Sequence, residues 1–79
     1  MPRSVRWLAP AWDQLHELPP EMFKAAQQVA GGLLSDPHPP GAEPDREIPD
    51  TFVIRTQMVV VFYRLSGEEI DVAGVWPNS

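Results

Sequence analysis

The chain has 79 residues and no cysteine, so we expect one small domain without disulfides, a thiolate nucleophile or a cysteine-ligated zinc ion. Six Lys and Arg against eleven Asp and Glu give a net charge of −5, which argues against general nucleic-acid binding, because that binding depends on neutralising phosphates. No apolar run approaches the ~20 residues of a membrane helix, and residues 1–7 lack the apolar core of a secretion signal, so we expect a cytoplasmic protein without membrane contact.

The first part of the chain predicts one short strand and a helical hairpin. Val5 and Trp7 alternate with Arg6, as in a strand. The first helix starts at Pro10 and the second at Pro19-Pro20, and the apolar seams of the two helices are Ala11, Leu15 and Leu18, then Met22, Ala26, Val29 and Leu33. Gly31-Gly32 predicts either fraying or a close helix-to-sheet approach near the end of the second helix.

Residues 36–50, called the connector below, are a compositional outlier, because five of these fifteen residues are proline. That density excludes a helix or a central strand. We expect an extended, partly polyproline segment, which is either a plain spacer or a functional loop. No internal repeat is present, and residues 1–79 are expected to form a single domain.

The last part of the chain predicts an antiparallel sheet with two apolar faces. Alternation places Phe52, Ile54 and Thr56 on one face of one strand, and Val59, Val61, Tyr63 and Leu65 on one face of the next. A turn at Ser66-Gly67 leads to a third strand over residues 70–76. The helices cover one face at most, so we expect the other face to bind a partner through Val60, Phe62 and Trp76.

The order of these elements resembles the RelE/ParE family of toxins from bacterial type II toxin–antitoxin modules. The motifs that carry the resemblance are Val5-Arg6-Trp7, Leu15-His16-Glu17-Leu18-Pro19, Asp36-Pro37 with Pro40-Gly41, and Phe62-Tyr63-Arg64-Leu65. The resemblance implies an α+β fold in which a short N-terminal strand and a helical hairpin pack on a small antiparallel β-sheet. It also implies a cognate antitoxin that wraps the toxin.

The same resemblance implies a candidate catalytic set of Arg55, Tyr63 and Arg64. If the chain is an enzyme, the reaction is metal-free, ribosome-dependent cleavage of mRNA, which needs a base, an acid and cations against the developing charge. The chain departs from the family pattern at three places. Val53 replaces one basic residue, Val59-Val60 replace an aromatic-Arg pair, and no basic or aromatic tail follows Trp76. Because one missing cation typically loses ~10² to 10³ in rate, we expect weak or absent endonuclease activity.

Two other functions stay open at this point. One is a ParE-type toxin that inhibits DNA gyrase by binding, and the other is a non-toxic, homodimeric protein-binding domain. We accordingly expect either a homodimer or a toxin–antitoxin hetero-oligomer. Arg55 and Arg64 also suit solvated strand positions or cross-strand ion pairs, and Tyr63 suits a packing role. His16 and His38 have no second ligand at metal spacing, so we expect neither a metal site nor a cofactor.

Overall fold

The computed structural model describes residues 2–78, in which two helices pack on a five-stranded sheet. The helices are α1 (Ala9–Glu17) and α2 (Pro20–Ser35), and the strands are β1 (Ser4–Trp7), β2 (Glu43–Pro44), β3 (Thr51–Arg55), β4 (Val59–Ser66) and β5 (Glu69–Pro77). The strand order is β1-β5-β4-β3-β2. The predicted α+β fold is therefore confirmed.

The sheet is mixed rather than purely antiparallel. The predicted strands β3, β4 and β5 pair antiparallel, and the connector adds β2 antiparallel to β3. β1 extends the sheet at the other side and pairs with β5 in parallel, with Val5 opposite Ile70 and Trp7 opposite Val72. Neither the parallel direction of β1 nor the short strand β2 was predicted from the sequence.

The helices cover one side of the sheet, called the inner face, and the opposite side is called the outer face. The inner face of β4 is buried at Val59, Val61 and Tyr63, whereas Val60 and Phe62 on the outer face are partly exposed. The helix residues that are buried against the inner face are Ala11, Leu15, Ala26, Ala30 and Leu33. The predicted alternation along β4 is confirmed up to Tyr63, and Leu65, near the hairpin turn, is 37% exposed.

Both helices begin where a proline fits the first turn, because a first-turn residue needs no N–H donor. α2 continues through Gly31 and Gly32 to Ser35, and a Cβ placed on either glycine would meet no atom within 4 Å. The expected close approach between helix and sheet at these glycines is therefore wrong. No helix within residues 2–78 has the length and apolar character to span a bilayer.

A β-bulge in β5 decides which side chains reach the outer face. Phe62 is opposite Gly74 and Tyr63 is opposite Val72, so Ala73 is the extra residue. Strict alternation from the buried Val72 would have sent Val75 outward. The bulge instead buries Val75 on the inner face and brings Trp76 to the outer face, opposite Val60.

The connector passes around the β3 edge of the sheet from the inner to the outer side. At its start, the Pro37 carbonyl lies beside Tyr63 of the inner face. At its middle, β2 pairs with β3, and at its end Asp45, Glu47 and Ile48 line a cavity on the outer face. The connector is therefore more than a spacer, because it forms one wall of the outer face.

Candidate partner-binding face

The centre of the outer face is an aromatic pair formed by Phe62 and Trp76. Their rings meet edge to face, with centroids 5.0 Å apart and an angle of 89° between the planes. Trp76 lies directly over Gly74, and a Cβ at that position would collide with its ring. Trp76 is nevertheless 45% exposed. A half-exposed tryptophan held in one orientation is typical of protein interfaces.

The three predicted partner-binding residues lie together on the outer face. Val60 is opposite Trp76 in the register of β4 and β5, and Phe62 is opposite Gly74, over which Trp76 lies. Val60 and Phe62 are partly buried, because Trp76 and the connector cover part of them. The apolar area that remains open is narrower than the sequence alone suggested.

Arg64 lies on the outer face, next to the aromatic pair. Its register partners are Thr51 on β3 and Asp71 on β5. It lines a cavity of about 490 Å³ together with Phe62 and Trp76. Within residues 2–78 its side chain takes part in no ion pair, although a carboxylate is its direct neighbour on β5.

The neighbouring carboxylate is held by another arginine. Arg6 on β1 donates two hydrogen bonds to the Asp71 carboxylate, each 2.9 Å long, while Asp71 is only 2% exposed. The hydrogen bond and the charge of Asp71, with a further contribution from Glu69, raise the pKa of Arg6 above its ordinary value. A guanidinium matches a carboxylate in this two-bond geometry, so Arg6 is the partner of Asp71, and the side chain of Arg64 lines the cavity.

Arg55 shares the outer face with Arg64 but lies at the other end of it. Arg55 is opposite Val60, four residues before Arg64 on β4. At a rise of about 3.3 Å per residue, the two positions are about 13 Å apart. The side chain of Arg55 is 62% exposed and lies 4.0 Å from Glu43. The fold therefore separates the two arginines and places an acidic residue next to Arg55.

Acidic side chains of the connector line the same cavities as Arg55 and Arg64. A second cavity, of about 330 Å³, is lined by Arg55, Val53 and residues 43–47, and the cavity beside Arg64 also includes Asp45 and Glu47. Val53, where the family pattern has a basic residue, is only 3% exposed beneath this segment. Residues 43–50 carry four acidic side chains and one arginine. The carboxylates of Glu43, Asp45 and Glu47, called the acidic rim, disfavour the approach of a polyanion to the outer face.

Tyr63, the third predicted catalytic residue, lies on the inner face. It is fully buried, stacks on Phe52 with ring centroids 5.7 Å apart, and donates a hydrogen bond of 2.8 Å to the Pro37 carbonyl oxygen. Burial, and then the charge of Asp36, raises the pKa of its hydroxyl above the ordinary value. The structure therefore does not bring Tyr63 together with Arg55 and Arg64, which face the opposite side of the sheet.

The two histidines lie away from the outer face, in aromatic contacts. His16 lies between Trp12 and Phe23, with ring centroids 4.3 Å and 5.6 Å away, and His38 meets Phe52 at 5.1 Å. In the part of the chain that the structure describes, no group of three His, Cys, Asp or Glu side chains is arranged to hold a metal ion.

Comparison with known proteins identifies the family. Toxin RelG of Mycobacterium tuberculosis is 36% identical to the chain over 73 residues, which cover 91% of the chain and 84% of RelG. The chain belongs to the RelE family of toxins. No family model matches the sequence of this RelE-family member.

Solved structures support the same family. A chain of the toxin–antitoxin complex RelBE2 from Mycobacterium tuberculosis superposes with a TM-score of 0.82 at 30% identity, over 99% of this chain and 100% of that one. The isolated RelE toxin of E. coli superposes with a TM-score of 0.78 at 15% identity, over 95% of this chain and 83% of that one. The second comparison supports the RelE fold alone.

Two features of the outer face were not predicted from the sequence of this RelE-family chain. One is the bulge at Ala73, for which the isolated Gly74 inside a strand was a usable signal. The other is the acidic rim. The sequence shows that Glu43, Asp45 and Glu47 are acidic residues of the connector. The sequence did not say that this charge lies beside the two arginines.

Proposed function

We propose that the chain is the toxin component of a toxin–antitoxin module that acts mainly through protein contacts. In this proposal the outer face binds a segment of the cognate antitoxin, and the mRNA endonuclease activity is weak or absent. The structural relative RelBE2 is a complex of toxin and antitoxin, which supports an antitoxin as the partner.

One observation carries the proposal: the outer face combines an apolar floor with an acidic rim. The floor is the half-exposed pair of Phe62 and Trp76, and the rim is formed by Glu43, Asp45 and Glu47. RNA binding depends on cations that neutralise phosphates, and here carboxylates lie beside both cations. A polypeptide suits such a surface better than a polynucleotide, because it supplies apolar side chains and charges of both signs.

The positions of the candidate catalytic residues support the non-enzymatic half of the proposal. Attack of a 2′-hydroxyl on the adjacent phosphate needs a base, an acid and positive charge that converge within a few ångströms. Arg55 and Arg64 are about 13 Å apart along the sheet, and the Tyr63 hydroxyl lies on the other side of it. Arg64 remains the best placed of the three, because its side chain lines the cavity and is free of ion pairs within residues 2–78.

The test is inducible expression of the chain with and without the product of a neighbouring short reading frame, scored for growth arrest, mRNA cleavage and complex formation. We expect a stable complex with that product and little mRNA cleavage by the chain alone. Arg55→Ala and Arg64→Ala are compared with Arg3→Ala, which lies at the far edge of the sheet in an exposed pair with Glu68.

Robust cleavage that Arg55→Ala or Arg64→Ala abolishes, and that Arg3→Ala leaves intact, would overturn the non-enzymatic half of the proposal. Absence of both growth arrest and complex formation would overturn the toxin-module assignment of function. Growth arrest with DNA damage but without mRNA cleavage would point instead to inhibition of gyrase.

A further inference from the structure

The cavity beside Arg64 has an apolar floor and charged walls of opposite sign. Its volume is about 490 Å³. The floor is lined by Ile48, Phe62, Ala73 and Trp76. Asp45 and Glu47 line the side of the cavity formed by the connector, and Arg64 lines the side formed by β4. A cavity of this volume is in the range of sites that bind small ligands or interface anchors.

The walls of the cavity are held in place before any partner binds. On the connector side, the Asp45 N–H donates to the Thr51 carbonyl oxygen at 2.7 Å, and the Ile48 N–H donates to the Asp45 carboxylate at 2.8 Å. On the β5 side, Gly74 leaves the space in which Trp76 lies. A preformed cavity lowers the ordering entropy that a partner must overcome on binding.

Among the described residues, no ion pair includes the charged groups at the cavity mouth. Within residues 2–78, Asp45, Glu47 and Arg64 are absent from every ion pair. Asp71, the register partner of Arg64 on β5, is bound by Arg6 instead. The exposed fraction of Ile48 is 51% and that of Trp76 is 45%, so apolar and charged groups face the same opening.

We propose that this cavity receives one apolar anchor side chain of the antitoxin, with a Lys or Arg of the same segment against Glu47 and Asp45 and a carboxylate of it against Arg64. This inference rests on the proposed function, because the occupant is the antitoxin. Apolar anchors that fill a pocket dominate interface energies, and surrounding charge pairs fix register and partner choice. The acidic side chains favour a polypeptide over a nucleic acid as the occupant, because they attract a basic side chain and repel a phosphate.

The experiment is a calorimetric titration of the full chain with the product of the neighbouring reading frame. Glu47→Lys is compared with Asp13→Lys, which makes the same change of charge on the exposed side of α1. We expect Glu47→Lys to raise Kd about tenfold or more, and Asp13→Lys to leave it nearly unchanged. Replacing the matching Lys or Arg of the antitoxin by Glu is expected to restore binding to Glu47→Lys and to weaken binding to the wild-type chain.

Each of the other outcomes overturns the inference. If the complex forms and Glu47→Lys binds as tightly as the wild-type chain, the cavity does not hold the anchor and the inference fails, whereas the toxin–antitoxin function still stands. If no complex forms with the wild-type chain, the proposed function fails and the inference fails with it.

Two further titrations test other occupants of the cavity. If a short single-stranded RNA binds the wild-type chain and no longer binds Trp76→Ala, the cavity is a nucleotide site. If sedimentation shows that the wild-type chain self-associates and that Trp76→Ala does not, the occupant is a second copy of the chain. Either result contradicts the antitoxin anchor.

Discussion

The Tyr63 hydroxyl donates a hydrogen bond of 2.8 Å to the Pro37 carbonyl oxygen and thereby fixes the start of the connector to the inner face. This contact joins β4 to a segment 26 residues earlier in the chain. It places the one tyrosine of the sequence in the core and away from the outer face. The connector can therefore leave α2 at a defined point and reach the β3 edge.

Tyr63→Phe is expected to lower the free energy of unfolding by about 0.5–1.5 kcal/mol, because it removes one partly buried hydrogen bond and leaves the Pro37 carbonyl without its donor. Urea denaturation at neutral pH measures this change. If an mRNA cleavage activity is detected, Tyr63→Phe is expected to leave its rate per folded molecule unchanged. A large loss of cleavage at unchanged stability would place Tyr63 in the reaction.

The raised pKa of Tyr63 predicts a loss of stability at alkaline pH. Burial makes ionisation of the hydroxyl harder in the folded chain than in the unfolded chain, whose pKa is about the ordinary 10.0. The stabilising contribution is therefore fully present below pH 10 and is lost as the pH rises toward the raised value. Urea midpoints measured through this range are expected to fall more steeply for the wild-type chain than for Tyr63→Phe. Parallel slopes for the two proteins would contradict the burial of this hydroxyl.

Arg6→Gln is expected to destabilise the chain more than Arg3→Gln. The first change leaves the buried Asp71 carboxylate without its guanidinium partner, whereas the second breaks an exposed pair with Glu68. The midpoints of urea denaturation give the comparison. A restored midpoint in the double variant Arg6→Gln, Asp71→Asn would assign the loss to the unpaired carboxylate, and equal midpoints for the two single variants would contradict this account.

Gly31→Ala and Gly32→Ala are each expected to raise the free energy of unfolding by about 0.5–1 kcal/mol. Both positions lie inside α2 with open space around them, and alanine favours a helix over glycine by about this amount. Thermal or urea denaturation checks the effect. Destabilisation by either change would mean that α2 ends before these residues in solution.

Gly74→Ala is expected to displace the Trp76 ring, because the new methyl group would occupy the space in which the ring lies. The indole N–H signal of Trp76 in an NMR spectrum, assigned by its loss in Trp76→Phe, measures the displacement. The signals of Trp7 and Trp12 in the same spectrum are the internal reference. An unmoved Trp76 signal would contradict the packing of this ring on Gly74.

The sequence predicted those parts of the fold that follow from local periodicity. Helical spacing predicted a buried face at Ala11 and Leu15, and strand alternation predicted one at Val59, Val61 and Tyr63. The structure confirms that all five side chains are buried. The pairing of β1 with β5 joins residues 65 positions apart, and no local pattern encodes the direction of such a pair.

The candidate site was predictable in its residues and not in its geometry. Val60, Phe62 and Trp76 do lie together, but Trp76 reaches that face only through the bulge at Ala73. Because alternate residues of a strand face opposite sides of the sheet, Tyr63 and Arg64 were expected on different faces of β4, and the structure confirms this. The acidic rim depends on where a proline-rich segment runs in space, which periodicity does not report.

The central claim is that the outer face, and not the helical face, binds the antitoxin. The chain offers a matched pair of tryptophans for the test, because Trp12 on α1 is 52% exposed and Trp76 on β5 is 45% exposed. The measurement is the Kd of the complex with the product of the neighbouring reading frame, for the wild-type chain, Trp76→Ala and Trp12→Ala. We expect Trp76→Ala to weaken binding by about 2 kcal/mol, roughly thirtyfold, and Trp12→Ala to change it little. A large loss with Trp12→Ala and none with Trp76→Ala would contradict the account.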